Sequence, residues 1–256
     1  LHRPFAGVVT GQGQFQVAFI LHRLLRPSVV GQLVGLDDFQ AKAPIADIDG
    51  IAGGMRADFT LNGNGFGIPY RHATDGLHYN EELLAEKGVT SVPDTIEDVV
   101  ELARKLTYKR ADGTQVHGLL LDGVQPSNVI NLARSWNGDF ITSDFKIAVD
   151  QPPMVKAVTL VKQLYDEGVL PKAITTFVTE DLITWMQQGR AAMAISPFGR
   201  YRNFNDPKAS KFPGKFKVKA LPISRDLAST FKVAPAKTDI WAAAIPANGG
   251  KPELAW

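Results

Sequence analysis

The segment "GIPYRHATDGLHYN", residues 67–80, gathers Tyr70, Arg71, His72, Asp75, His78 and Tyr79 in one short stretch. Flat rings give apolar contact to C–H faces. Arg and Asp side chains form directional hydrogen bonds. Together they suit a polar, hydroxyl-rich ligand. Each residue also has a plainer reading. Tyr70 could be a core ring with a satisfied hydroxyl, and Arg71 and His72 could be surface groups. Asp75 could shape a turn at "ATDG". His78 and Tyr79 are expected to pack under the helix that follows.

The residue types needed for covalent or metal chemistry are not arranged to perform it. The chain has no Cys, so disulfides, thiol ligands and thiol nucleophiles are excluded. It has no G-x-S-x-G, P-loop or H-E-x-x-H segment. "NGNGFG" spaces glycines in a nucleotide-loop manner, but no helix opens after it, so it reads as a turn. His72 and His78 are not a one-face helical pair and have no obvious third ligand, so no metal site is expected. No cofactor is expected either. The acidic pairs Glu81-Glu82 and Asp37-Asp38 sit at helix starts, where the macrodipole explains them. A pair of distant carboxylates for glycoside hydrolysis stays open.

Composition sets the frame for these residues. The chain has 256 residues, 45% hydrophobic and 21% charged, with formal charge +2. That length allows one large domain or two lobes. No basic stripe stands out, which argues against a nucleic-acid partner. No apolar run approaches the roughly 18 residues of a membrane span. Residues 1–35 contain no acidic residue, although the whole chain has 26. That segment is therefore set apart, with few packed contacts expected, and both chain ends are expected to be incomplete.

The remaining texture alternates helices with short strands, an α/β pattern. "NEELLAEKG" has Asn80 as N-cap and Gly88 as stop. "PDTIEDVVELARKLT" suggests a capping box from Asp94 to Glu97. Its apolar stripe is Ile96, Val99, Val100, Ala103 and Leu106. "PPMVKAVTLVKQLYDEG" and "TEDLITWMQQG" repeat the scheme, the latter with Thr179 as cap and Trp185 on its core face. Strands are expected in "HGLLLDG", "DFKIAVD", "RAAMAIS", "KFKVKALPI" and "DIWAAAIPA". The polar turn "KRADGTQ", 109–115, is a candidate boundary between two lobes.

Several of these segments, in order, resemble the sugar-binding group of extracellular solute-binding proteins of ABC importers, which includes maltose-binding protein. "GFGIPYRHATDGLHYNEELLAEKGV" is similar to that family's strand, hinge and helix. "VPDTIEDVVELARKL" resembles its P-x-T-W-x-E helix entry, with Ile96 in the Trp place. "NLARSWNGDFIT" occupies the place of the segment before "GG" in relatives. "MQQGRAAMAISPFGRY" resembles the family's most specific block, and "DIWAAAIPANGGKPELAW" its return strand and helix. The resemblance covers roughly residues 35–256.

The resemblance implies a two-lobed, periplasmic-binding-protein-like α/β fold with a hinge and an interlobe cleft, its first lobe incomplete. It implies lobes of residues 36–108 plus 229–256 and of residues 109–228, with 1–35 unmatched. Ligand groups are then expected from Tyr70, Arg71, His72, Asp75, Trp136, Asn137, Arg200, Tyr201 and Trp241, Tyr201 being favoured over Phe198. Arg71 stands where relatives often carry an acid, so acidic sugars stay open beside neutral ones. The implied function is a non-catalytic, monomeric bacterial receptor outside the cytoplasm. It would bind a sugar, polyol or sugar acid and deliver it to ABC permease subunits. A carbohydrate-active hydrolase and a transport-independent sensing module are the alternatives.

Overall fold

The computed structural model describes residues 15–123 and 125–256. In chain order, the elements are β1 (Ala18–Leu21), α1 (Pro27–Val30), α2 (Asp37–Lys42), α3 (Gly53–Ala57), β2 (Thr60–Leu61), β3 (Asn64–Gly65) and β4 (Ile68–Asn80). Then come α4 (Glu81–Ala85), α5 (Ile96–Lys105), β5 (Tyr108–Lys109), β6 (Gln115–Val116), β7 (Leu120–Leu121), α6 (Pro126–Arg134) and α7 (Pro152–Asp166). The series closes with α8 (Thr179–Gln187), β8 (Met193–Pro197), α9 (Tyr201–Phe204), β9 (Phe216–Lys219) and β10 (Thr238–Ala244). Among the described residues no helix is long and apolar enough to cross a membrane.

The chain forms two compact units. Among the described residues, the first comprises 15–73 and Thr238–Trp256; the second is Thr74–Lys237. In unit 1, β1 pairs antiparallel with β10, Ile20 opposite Ala242 and Leu21 opposite Trp241. Side chains alternate across the pair. Ala18, Ile20, Ile240, Ala242 and Ala244 therefore share a buried face with Phe59 and Leu33. Gly67 lies against this core, where an added Cβ would come within 2.9 Å of the Ala242 Cβ. "NGNGFG" is the β2–β3 hairpin, with Asn62 and Gly63 both at positive φ. This is the two-residue turn that such a pair favours.

Unit 2 is built around one large apolar cluster that joins Leu77, the α5 stripe, Leu120, Leu170, Met186, Phe204 and Phe216. Its half of β4 pairs antiparallel with β8 (Asp75 opposite Pro197, Tyr79 opposite Met193) and with β9 (Asn80 opposite Phe216). β7 runs parallel to β8. α4 is capped as expected: the Asn80 carboxamide oxygen accepts from the N–H groups of Glu82 and Leu83. The α5 stripe Ile96, Val99, Val100, Ala103 and Leu106 is buried. Gly168 ends the α7 segment at φ 76°.

Several expectations are corrected. Residues 74–108 and 229–237 belong to unit 2, not to the first lobe, because α5 packs into the cluster of Leu120 and Leu170. The 109–115 turn is the β5–β6 hairpin inside unit 2, not a boundary. Residues 15–35 are not loosely attached: β1 is paired and Ile20 is fully buried. The remainder of that segment, 1–14, lies outside the described residues. "ATDG" is continuous strand rather than a turn, since β4 runs through it. "DFKIAVD" forms no strand; Phe145 has positive φ and only an isolated bridge joins Ile141 to Ile147. The cap of α5 is Thr95, whose hydroxyl accepts from Asp98 N–H, while Asp94 pairs with Lys219 at 2.6 Å. The cap position of α8 is Val178, whose N–H donates to the Asp181 carboxylate. Thr179 instead donates to Asp122 at 3.0 Å.

Candidate functional site

In unit 1 the first half of β4 carries Tyr70, Arg71 and His72 at exposed positions. The Arg71 guanidinium carbon lies 4.5 Å from the centre of the Trp241 ring. Stacking of this kind uses the cation's flat face and leaves its N–H edge directed outward for acceptors. Tyr70 is 53% exposed, and its ring meets Phe19, 67% exposed, edge to face at 5.1 Å. Phe19 faces away from the core because its neighbours Ala18 and Ile20 face into it. Unit 1 thus carries two pairs, the Phe19 and Tyr70 rings and the Arg71 cation over the Trp241 ring. Tyr70, Arg71 and Trp241 were read from the sequence as candidate ligand groups; Phe19 was not, since it lies in the segment set apart for its odd composition.

In unit 2 the second half of β4 turns polar and buried. Asp75 is 5% exposed, and its Oδ2 accepts from Asn131 Nδ2 at 2.8 Å. Asn131 Oδ1 in turn accepts from Lys237 N–H at 2.8 Å, and Asp75 N–H donates to Lys237 C=O at 3.0 Å. Asn131 thus ties strand β4 to residue 237. It was missed from sequence, although a signal existed: Asn128, Asn131 and Ser135 put buried polar groups on the apolar side of α6. Asn128 donates to Gly123 C=O and Ser135 to Pro222 C=O.

Asp75 stands opposite Pro197, and the chain leaves β8 there into the turn Phe198–Arg200 and helix α9. Arg200 and Tyr201 therefore follow directly from the strand beside Asp75. The Phe198 ring covers Gly76: a Cβ at Gly76 would fall 2.6 Å from that ring and 2.8 Å from Lys219 C=O. Phe198 and Tyr201 are equally exposed, at 38%.

Trp136 and Asn137 have their own local surroundings in unit 2. Asn137 takes positive φ in the turn that ends α6, where Gly138 N–H returns to Ala133 C=O. Trp136 donates from Nε1 to Glu97 Oε1 at 3.1 Å, with the Lys156 ammonium 4.4 Å from its ring centre. It lines a groove of about 540 Å³ between α5 and α7, with Glu97, Lys156 and Arg225. Burial pushes the Glu97 carboxyl up, but the Arg225 and Glu97 N–H groups, the indole and Lys156 together hold it below the ordinary range. Trp136 is thus tied to helices α5 and α7, while Asp75 is tied to Asn131 of α6.

Two compact α/β units are joined where β4 and β10 meet the boundary, and each presents polar and aromatic groups. The chain matches the model of the family "Bacterial extracellular solute-binding protein" over residues 7–256 and belongs to that family. The match starts well before residue 35, which corrects the reading of 1–35 as unmatched. The structure is similar to maltose-bound MalE3 of T. maritima, with TM-score 0.83, 22% identity, and coverage of 99% of this chain and 63% of that one. It is similar to a solute-binding protein of Agrobacterium radiobacter K84 in complex with ribitol (TM-score 0.81, 23% identity, coverage 99% and 63%). Among curated proteins, the "Probable ABC transporter-binding protein" of Deinococcus radiodurans is 24% identical over 203 residues, 77% of this chain and 47% of its own length.

Proposed function

We propose that this protein is the solute receptor of a bacterial ABC import system and that it binds a carbohydrate, a polyol or a sugar acid without transforming it. The observation that carries the reading is Arg71 stacked on Trp241 beside the exposed Tyr70 ring. Rings offer platforms to the C–H faces of a hydroxylated ligand, and the guanidinium edge offers donors to its oxygens. Family membership supports the receptor role, and the ligands named for similar structures (maltose, ribitol, D-mannitol and tagatose) support the ligand class. Unit 2 would add the carboxylate of Asp75, the guanidinium of Arg200 and the ring of Tyr201. His72, Trp136 and Asn137 remain in the proposed set as minor contributors.

On this reading the partners are the transmembrane permease subunits, the receptor acts as a monomer, and it works outside the cytoplasm. A ligand that engages groups of both units would favour the arrangement in which both reach it, which is how binding biases a conformational equilibrium. The test is a thermal-shift screen against ribitol, D-mannitol, tagatose, maltose and a sugar acid. A ligand present at 100 times its Kd adds roughly 2.7 kcal/mol of stability. A shift with at least one of them, and no change in the sugar recovered afterwards, is expected. No shift with any of them would overturn the ligand class, and recovery of a hydrolysed product would favour the hydrolase.

A further inference from the structure

His78 sits on β4 with no exposed surface, opposite Ala194 and three residue pairs from Pro197, where β8 ends. Its Nε2 lies 3.2 Å from Ser196 C=O and 3.1 Å from Pro197 C=O. Both partners are carbonyls, so Nε2 carries the hydrogen and donates to the pair. Nδ1 is buried with no hydrogen-bond partner, as expected for the bare nitrogen of that tautomer. The ring edge also meets Phe204, at the far end of α9, with centroids 4.9 Å apart. One side chain therefore touches both ends of the segment that holds Phe198, Arg200 and Tyr201.

Among the described residues, side-chain hydrogen bonds also secure the far end of that segment, while at the near end the Phe198 ring packs over Gly76. Asn205 exchanges two hydrogen bonds with the backbone of Phe216, and Gln187 Nε2 donates to Asn203 C=O. At the near end, the chain leaves the sheet just after Pro197, the last residue of the β4–β8 register.

We infer that His78 is a positioning residue: its Nε2–H, shared by Ser196 and Pro197 C=O, fixes the turn that delivers Phe198, Arg200 and Tyr201 out of strand β8. The consequence for ligand affinity rests on the solute-binding reading above; the positioning itself does not.

Three variants of the full chain test it. His78→Phe keeps a ring against Phe204 and removes the donor. His78→Gln places an amide N–H near the Nε2 position, and His78→Asn places it near Nδ1, out of reach. Hydrogen exchange should quicken across 197–204 by roughly tenfold or more in the Phe and Asn variants, leave α5 and α7 unchanged, and return towards wild type in the Gln variant. If the Phe variant does not fold, the Asn–Gln comparison decides. Wild-type exchange at 197–204 in the variant without a donor would overturn the assignment, as would equal loss in the Gln variant. Titration with ribitol, D-mannitol and maltose forms the second arm, with affinity expected to follow the exchange result. If wild type binds none of the three, those three are excluded as its ligands, while the exchange result still decides the positioning.

Discussion

Unit 1 and unit 2 solve the same packing problem with unequal means. Unit 2 closes leucine-, methionine- and phenylalanine-rich surfaces around β4, β7 and β8. Unit 1 buries Phe59, Ile20, Leu33 and Ile240, but much of its strand contact comes from Ala18, Ala242 and Ala244. A buried Leu or Phe contributes about 1.5–3 kcal/mol, and Ala far less. The functional groups differ in the same sense. Unit 1 displays rings and a cation on an exposed surface; unit 2 buries its polar groups in hydrogen-bonded sets such as Asp75–Asn131–Lys237. On the proposed reading, the unit with the smaller core among the described residues would supply the ligand platforms, and the unit with the larger core the fixed polar framework.

The largest effect should come from opening unit 2. Leu120→Ala removes a fully buried side chain at β7 and is expected to cost about 2–5 kcal/mol in denaturant unfolding. A loss well under 1 kcal/mol would mean that the cluster around it collapses freely, and the contrast between the units would weaken.

Acid should act on unit 2 through His78. Burial lowers its pKa from 6.5 to about 4, against the opposing pull of the Pro197 and Ser196 carbonyls. The unfolded chain then binds the proton first as pH falls. The stabilisation from keeping this ring neutral is fully present above pH 6.5 and is lost progressively down to about pH 4. It amounts to about 3 kcal/mol. Unfolding curves at pH 7 and pH 4.5 should show this loss, and His78→Phe should remove that part of the pH dependence. An identical slope in the variant would contradict the assignment.

A smaller loss should follow Asn131→Ala. Asp75 and the Lys237 N–H each lose a buried partner, at a cost of about 1–3 kcal/mol. Asn131→Asp, which keeps an acceptor for Lys237 but faces Asp75 with a second carboxylate, should be at least as damaging at neutral pH. If it were tolerated, the Asn131 amide would not be the tie between the two.

Much of this was legible in the chain. Asn80, Gly88 and the stripe from Ile96 to Leu106 announced their helices because caps and 3.6-residue periodicity are local properties. Tyr70, Arg71 and Trp241 became candidate site residues through the resemblance, and the structure brings Arg71 and Trp241 together. The failures have a common cause. "ATDG" has turn composition, yet pairing of Asp75 and Gly76 with β8 holds the segment extended, and tertiary contacts override composition. Asn131, Phe19 and His78 owe their roles to neighbours distant in sequence: Asp75, Tyr70, and the carbonyls of Ser196 and Pro197. The 109–115 turn looked like a boundary because polarity marks any exposed hairpin, whichever core it rests on.

The central claim is that the unit 1 rings form a ligand platform, and Trp241→Ala tests it most directly. Trp241 is only partly buried, on the face of β10 opposite the core, so the variant should stay folded. Calorimetric titration of wild type and variant with the ligand found by the thermal-shift screen should show affinity weakened by at least about tenfold, a difference of about 1.4 kcal/mol. Unchanged affinity in a folded Trp241→Ala variant would contradict the account and move the ligand away from the Arg71–Trp241 stack.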